Sequence, residues 1–162
     1  MKLSSIQVFV LVAAITNGIL VGGGLDRALV GFPAWTVVGP QAWADFSRHA
    51  DLAKGRFWYP LWAFAGMVCS VVAAVILYLN TSVDRHARIP VYGAALFAAG
   101  GLLLTLKAAP IMLGLSRVGN DPDALQGAFD GFAFWSYLRL ASQFLAWLAN
   151  LGSLAILSTT RG

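Results

Sequence analysis

The stretch FWYPLWAFAGMVCSVVAAVILYLNTSV, residues 57–83, contains no charged side chain, and the rest of the chain is read from it. A helix rising about 1.5 Å per residue needs about 20 apolar residues to cross the ~30 Å hydrocarbon core of a bilayer. Three further runs are also uncharged: Leu3 to Leu25, Ile89 to Leu106 and Leu140 to Thr160. The run from Ile89 is short, and Ala108 to Leu115 extends it past Lys107. The composition agrees, with 59% hydrophobic and 11% charged residues and a mean hydropathy of +0.73, which excludes an ordinary soluble domain. The expected fold is all-α, an antiparallel four-helix transmembrane bundle forming one integral membrane domain over residues 1–162. Its spans should cover about 4–25, 59–80, 89–113 and 131–157.

The first run follows Lys2 but is too long for the apolar part of a signal peptide, so it reads as a retained helix. The net charge of +4 comes from basic residues scattered along the chain, which does not suggest nucleic acid. One cysteine, Cys69, rules out an internal disulfide or a CxxC metal site and reads as a small packing residue. Four spans place both termini and the 80–90 connection on one face. That short connection is basic and poor in acids, which favours cytoplasmic termini by the positive-inside rule.

The two outer connections are longer. In the first, Phe32-Pro33-Ala34-Trp35 should break any helix continuing from span one. After Gly39-Pro40, an amphipathic helix is expected over about 41–54. Trp43, Phe46, Ala50 and Ala53 would form its apolar face, with Asp45, Arg48 and Asp51 or Lys54 opposite. Such a helix can lie in the membrane interface or fold over the bundle as a lid. In the second connection, Asp121 before Pro122 should cap a new helical turn. Gly18/Gly22 and Gly127/Gly131 form GxxxG steps, and Gly100-Gly101 also permits close helix approach.

Ionisable groups inside spans are candidates for function. Lys107 in span three and Arg139 in span four should lie at matching depth, roughly 9–12 Å below the outer boundary. Their mutual repulsion calls for an anion between them, with Asp26, Asp130 or a bound ligand as candidates. Ser136, Gln143 and Asn150 share a face of span four with Arg139. Asn17 and Thr105 can join this interior, either as interhelical glue or as ligand contacts. His49, in the outer connection, is a candidate proton acceptor, whereas His86 reads as a solvated loop residue. The topology puts the two histidines on opposite faces, so they cannot share a metal. Aromatic residues are dense near the outer half, including Trp35, Trp43, Trp58, Trp135 and Tyr137. They fit an interfacial belt or a cavity with flat walls for a lipophilic aromatic small molecule.

Two segments carry a family resemblance. Thr105-Leu106-Lys107-Ala108-Ala109-Pro110-Ile111-Met112-Leu113-Gly114-Leu115 and Trp135-Ser136-Tyr137-Leu138-Arg139, in a four-helix layout with a long first outer connection, resemble the anthrone-oxygenase-like family of small membrane proteins. Met112 stands where that family has an Asn, and Lys107 departs from its pattern. The resemblance implies cofactor-independent oxygenation of a lipophilic phenolic or anthrone-like substrate, with no cofactor and no metal. It implies His49 or Asp26 as the base and Arg139 with Lys107 as anion stabilisers. Trp35, Trp43, Trp135, Tyr137, Asn17 and Gln143 would contact substrate. The alternative reading is a non-enzymatic accessory subunit or lipophile-binding component of a membrane complex, as a homo- or hetero-oligomer. The lipid bilayer is a partner in either reading.

Overall fold

The computed structural model describes residues 3–80 and 85–159, with the backbone alone for 85–87. Lys2, Asp84 and Arg161, and the side chains of Arg85 and His86, therefore lie outside the described residues. The described chain is all-helical, with α1 Ser5–Val38, α2 Pro40–His49, α3 Asp51–Leu79, α4 Arg85–Val118 and α5 Pro122–Thr159. Helices α1, α3, α4 and α5 are long and apolar enough to cross a membrane.

Helix α1 starts at a capping box. Ser4 N–H donates to Gln7 Oε1 at 2.9 Å, and Gln7 N–H donates to Ser4 Oγ at 3.4 Å. The same Gln7 donates through Nε2 to the Leu157 carbonyl at 3.0 Å, tying the start of α1 to the end of α5. At its other end α1 does not stop where Pro33 was expected to break it. Arg27–Gly31 form a π turn, Phe32 N–H bonds the Arg27 carbonyl, and the helix continues to Val38. In this wider register Pro33 has no N–H to give the Ala28 carbonyl. That carbonyl instead accepts the Tyr137 hydroxyl of α5 at 3.4 Å. A side chain from a neighbouring helix thus makes up the bond that proline withholds. The actual break is Gly39, whose φ of 94° suits glycine. Pro40 follows at the first turn of α2.

Helix α2 occupies most of the expected 41–54 segment, but its buried face is rotated. Trp43, Ala44, Ser47 and, just beyond the helix, Asp51 are buried, whereas Phe46 is 49% exposed. Trp43 packs on the rings of Phe129 and Phe132, with centroids at 5.4 and 5.8 Å. The rotation follows from these aromatic partners on α5, which seat the Trp43 side of α2. Arg48 fastens α2 across the end of α4. It donates to the Leu115 carbonyl at 3.2 and 3.3 Å and to the Gly119 carbonyl. A cation here also complements the C-terminal dipole of α4. Helix α2 thus lies across one end of α4 and α5.

The four long helices form a ring in which α1 and α4 each pack against α3 and α5. The α4–α5 contact is the most extensive and the α3–α4 contact the least. At the former, a Cβ on Gly100 would sit 3.1 Å from Ser142 Oγ, and one on Gly101 would sit 3.2 Å from Gln143 Cγ. Ser142 then reaches the Phe97 carbonyl at 2.8 Å. The GxxxG steps do not act as pairs, because Gly22 and Gly127 face open space. One apolar cluster joins Val10, Ala73, Leu77, Val91 and Leu157 at one end. A second, under α2, joins Phe32, Trp43, Met112, Leu125, Phe129 and Phe132. Between them the ring is not filled. Helix α4 outruns its expected bounds, reaching Val118, and α5 begins at Pro122, where Leu125 N–H bonds the Asp121 carbonyl at 3.0 Å.

Candidate functional site

The unfilled space is a cavity of about 520 Å³, lined by all four long helices. Its walls are mostly apolar, from Leu20, Phe32, Ala63, Leu102, Met112 and Leu140 among others. Arg27, Asp51, Arg56, Tyr59, Thr105, Ser136, Arg139 and Gln143 supply polar groups.

Two of these are an ion pair. Arg27 Nη2 lies 2.6 Å from Asp51 Oδ1, with side-chain exposures of 13% and 6%. The Arg27 guanidinium also lies 5.5 Å from the Tyr59 ring centre, 5.6 Å from Phe132 and 6.0 Å from Trp35. Aromatic faces of this kind attract a cation that has lost its water. Both partners begin π turns, Arg27–Gly31 in α1 and Asp51–Gly55 in α3. An extra residue in a turn shifts each following side chain by about 100° around the helix.

Three further polar groups, Ser136, Arg139 and Gln143, come from one stripe of α5, spaced to share a face. Arg139 makes no hydrogen bond or ion pair among the described residues, and neither does the Gln143 amide. Ser136 Oγ and Asp51 Oδ2 are buried without a partner. Buried polar groups in proteins are nearly always hydrogen-bonded, so a set of free ones around one cavity points to a ligand with matching polar atoms. Three arginines, Arg27, Arg139 and the exposed Arg56, against one carboxylate give this cavity an excess of two positive charges.

The sequence-predicted residues divide sharply. Arg139 and Gln143 line the cavity. Asn17 is buried but bonds the Ala13 carbonyl at 2.8 Å within α1. Trp43 is buried in the cluster under α2, with Trp35 and Trp135 packed against it, and none of the three lines the cavity. Tyr137 holds the Ala28 carbonyl. Asp26, Lys107 and His49 are all exposed and outside the cavity. His49 Nδ1 meets the Asp45 carbonyl at 2.8 Å. Asp130, the other proposed partner of Arg139, is exposed and accepts from Gln126 at 2.8 Å. Lys107 and Arg139 therefore do not face each other, since Lys107 points out of the bundle from α4. Tyr59, one of the dense outer aromatics, does line the cavity, whereas Arg27 and Asp51 were not anticipated. For Asp51 a signal existed, because Trp43, Ser47 and Asp51 form a stripe at four-residue steps.

Among the described residues no group of three or more His, Cys, Asp or Glu side chains converges to hold a metal. Comparison with protein-family models, curated proteins and solved structures finds no match to this chain.

Proposed function

We propose that the four long helices cross a membrane as an antiparallel bundle with both termini cytoplasmic, and that the cavity binds and oxygenates a lipophilic phenolic or anthrone-like aromatic. The observation that carries this reading is the set of unpartnered polar groups, Arg139, Gln143, Ser136 Oγ and Asp51 Oδ2, around an otherwise apolar space. A volume of about 520 Å³ falls in the range of small-molecule sites, roughly 300–1,000 Å³. The excess positive charge suits a ligand that becomes an anion.

The chemistry needs a base, an anion holder and dioxygen. Asp51 takes the role that sequence reading gave to His49 or Asp26. Its Oδ1 is held by Arg27, and its Oδ2 has a free lone pair to accept a proton from the activated C–H of an anthrone. The negative charge moves to the ring oxygen, where Arg139 and Gln143 stabilise it in a dry, low-dielectric site. The electron-rich carbanion reduces dioxygen and forms a C–O bond, giving a hydroperoxide after protonation. Loss of the second C–H proton with cleavage of the O–O bond yields the quinone and one water. Substrate supplies all the electrons, so this route needs no resident cofactor.

The test is oxygen uptake by the purified chain in lipid nanodiscs with anthrone as substrate. One dioxygen should be consumed per anthraquinone formed, above the blank of empty discs. Arg139→Leu should abolish turnover while the protein stays inserted and helical. No uptake above the blank would remove the enzymatic reading. Mass spectrometry of the same preparation then decides between a retained aromatic ligand and a stable heteromer without one, the latter favouring an accessory subunit.

A further inference from the structure

The cavity walls are not equally closed. The lining given by α1 and α5 is largely buried, with Leu20, Ala28, Phe32, Phe132, Ser136 and Gln143 all shielded. The lining given by α3 and α4 is different. Phe64 on α3, and Leu103 and Leu106 on α4, line the cavity and are also 53%, 65% and 64% exposed. One side chain cannot be both unless the wall is open where it stands. The opening lies between α3 and α4, the adjacent pair that packs least closely. It is sideways, whereas α2 and its aromatic cluster cover one end of the ring.

A second concavity lies on the outer surface of α3, lined by Phe57, Leu61 and Val68. Arg56, Pro60 and Phe64 line both it and the cavity. The two spaces therefore adjoin, with the Phe64 side chain forming part of the wall of each. Pro60 deprives the Arg56 carbonyl of its helical donor, a feature that bends helices and suits a wall with a gap.

We propose that the α3–α4 opening is a lateral portal through which the ligand passes from the bilayer, polar end first toward Arg139. Its apolar end then rests against Phe64 and the outer groove. This rests on the membrane-spanning reading and on the cavity being the binding site. It specifies the ligand further, as an amphiphile that partitions into lipid and carries one acidic or anionic end. Arg139 and Gln143 lie inside while Phe64, Leu103 and Leu106 frame the portal, and the one cation near the outer groove, Arg56, is exposed and lies over the Phe57 ring.

The experiment uses the full chain in nanodiscs with the bilayer-partitioning photoprobe 3-(trifluoromethyl)-3-phenyldiazirine, and peptide mass spectrometry reads the labelled sites. Label should appear at the cavity residues Ser136, Leu140 and Gln143, as well as at Leu138, an exposed position on α5 outside the cavity. Phe64→Trp and Leu103→Trp should each lower cavity labelling several-fold and leave Leu138 unchanged. Phe64→Ala should raise it, which guards against a loss caused by misfolding. Cavity labelling absent in the unaltered chain, or indifferent to all three substitutions, would overturn the portal. Oxygen uptake with anthrone is read separately. A portal that behaves as described in a protein that does not turn over anthrone would remove the oxygenase reading alone.

Discussion

Removing Asp51 should destabilise this protein more than removing its partner Arg27, and the reason is a charge count. Apart from Arg56, which is exposed and solvated, the cavity holds Arg27, Arg139 and one carboxylate. Asp51→Ala leaves two cations and no anion there, whereas Arg27→Met leaves Arg139 beside Asp51, one of each sign. Deleting one partner of a buried ion pair costs about 3–5 kcal/mol. The low end applies to Asp51→Ala, about 3 kcal/mol, because Arg27 keeps its three aromatic faces and some exposure. That is roughly a hundredfold in the folding equilibrium. Arg27→Met should cost about 1–2 kcal/mol, with the methionine filling much of the arginine stem's volume. Adding Arg139→Leu to Asp51→Ala should restore part of the loss, since a single cation then remains. The assay is unfolding in dodecyl maltoside micelles titrated with SDS and followed by circular dichroism. If Arg27→Met proves the costlier change, the charge count is wrong. If both cost under about 1 kcal/mol, the pair behaves as a solvated surface pair and the cavity is not dry.

Three further outcomes are expected from the same assay. Tyr137→Phe should cost about 1–2 kcal/mol by orphaning the Ala28 carbonyl, and Pro33→Ala, which returns an N–H to α1, should reduce that cost. Gly101→Leu should cost about 1–3 kcal/mol by forcing α4 from Gln143, whereas Gly22→Ala, facing open space, should be neutral or slightly stabilising. Trp43→Ala should cost about 3–5 kcal/mol and loosen α2, which limited proteolysis near Gly39 would register as faster cleavage.

Helix number and placement were legible because the signal is one-dimensional. An uncharged run of sufficient length has few alternatives in a chain this apolar. The polar stripe of α5 was legible for a related reason, as helical spacing alone brings Ser136, Arg139, Gln143 and Asn150 to one side, and all but Arg139 are buried. What failed was register at the ends of the long helices. The π turn at Arg27–Gly31 carries α1 past Pro33, and periodicity taken at 3.6 residues per turn cannot see it. Asp51 was assigned to a polar face because a carboxylate is ordinarily solvated. Its burial depends on Arg27, which is 24 residues earlier in the chain. Asp26, Lys107 and His49 were favoured for ionisability alone, and ionisability does not say which side of a helix faces inward.

A common local cause links the pair and the cavity. Each π turn inserts one residue into its helix, and the partners of the ion pair are the first residues of the two turns. A continuous α-register in α1 would send the side chains after the turn about 100° elsewhere per inserted residue. Arg27 itself would keep its place, since its N–H bonds the Gly23 carbonyl in the α-register, but Phe32 and Trp35 after the turn would swing away from the guanidinium and from α5. Neither partner has an alternative ion-pair contact among the described residues. The pair bridges the starts of the two π turns, so each turn is held in part through the other. Such mutual dependence predicts that the two turns lose their register together. Arg27→Met should release Asp51, and amide hydrogen exchange at 51–55 should accelerate although no residue there has been changed. Unaltered protection at 51–55 in that variant would mean that the second turn is held by its own helix and owes nothing to Arg27.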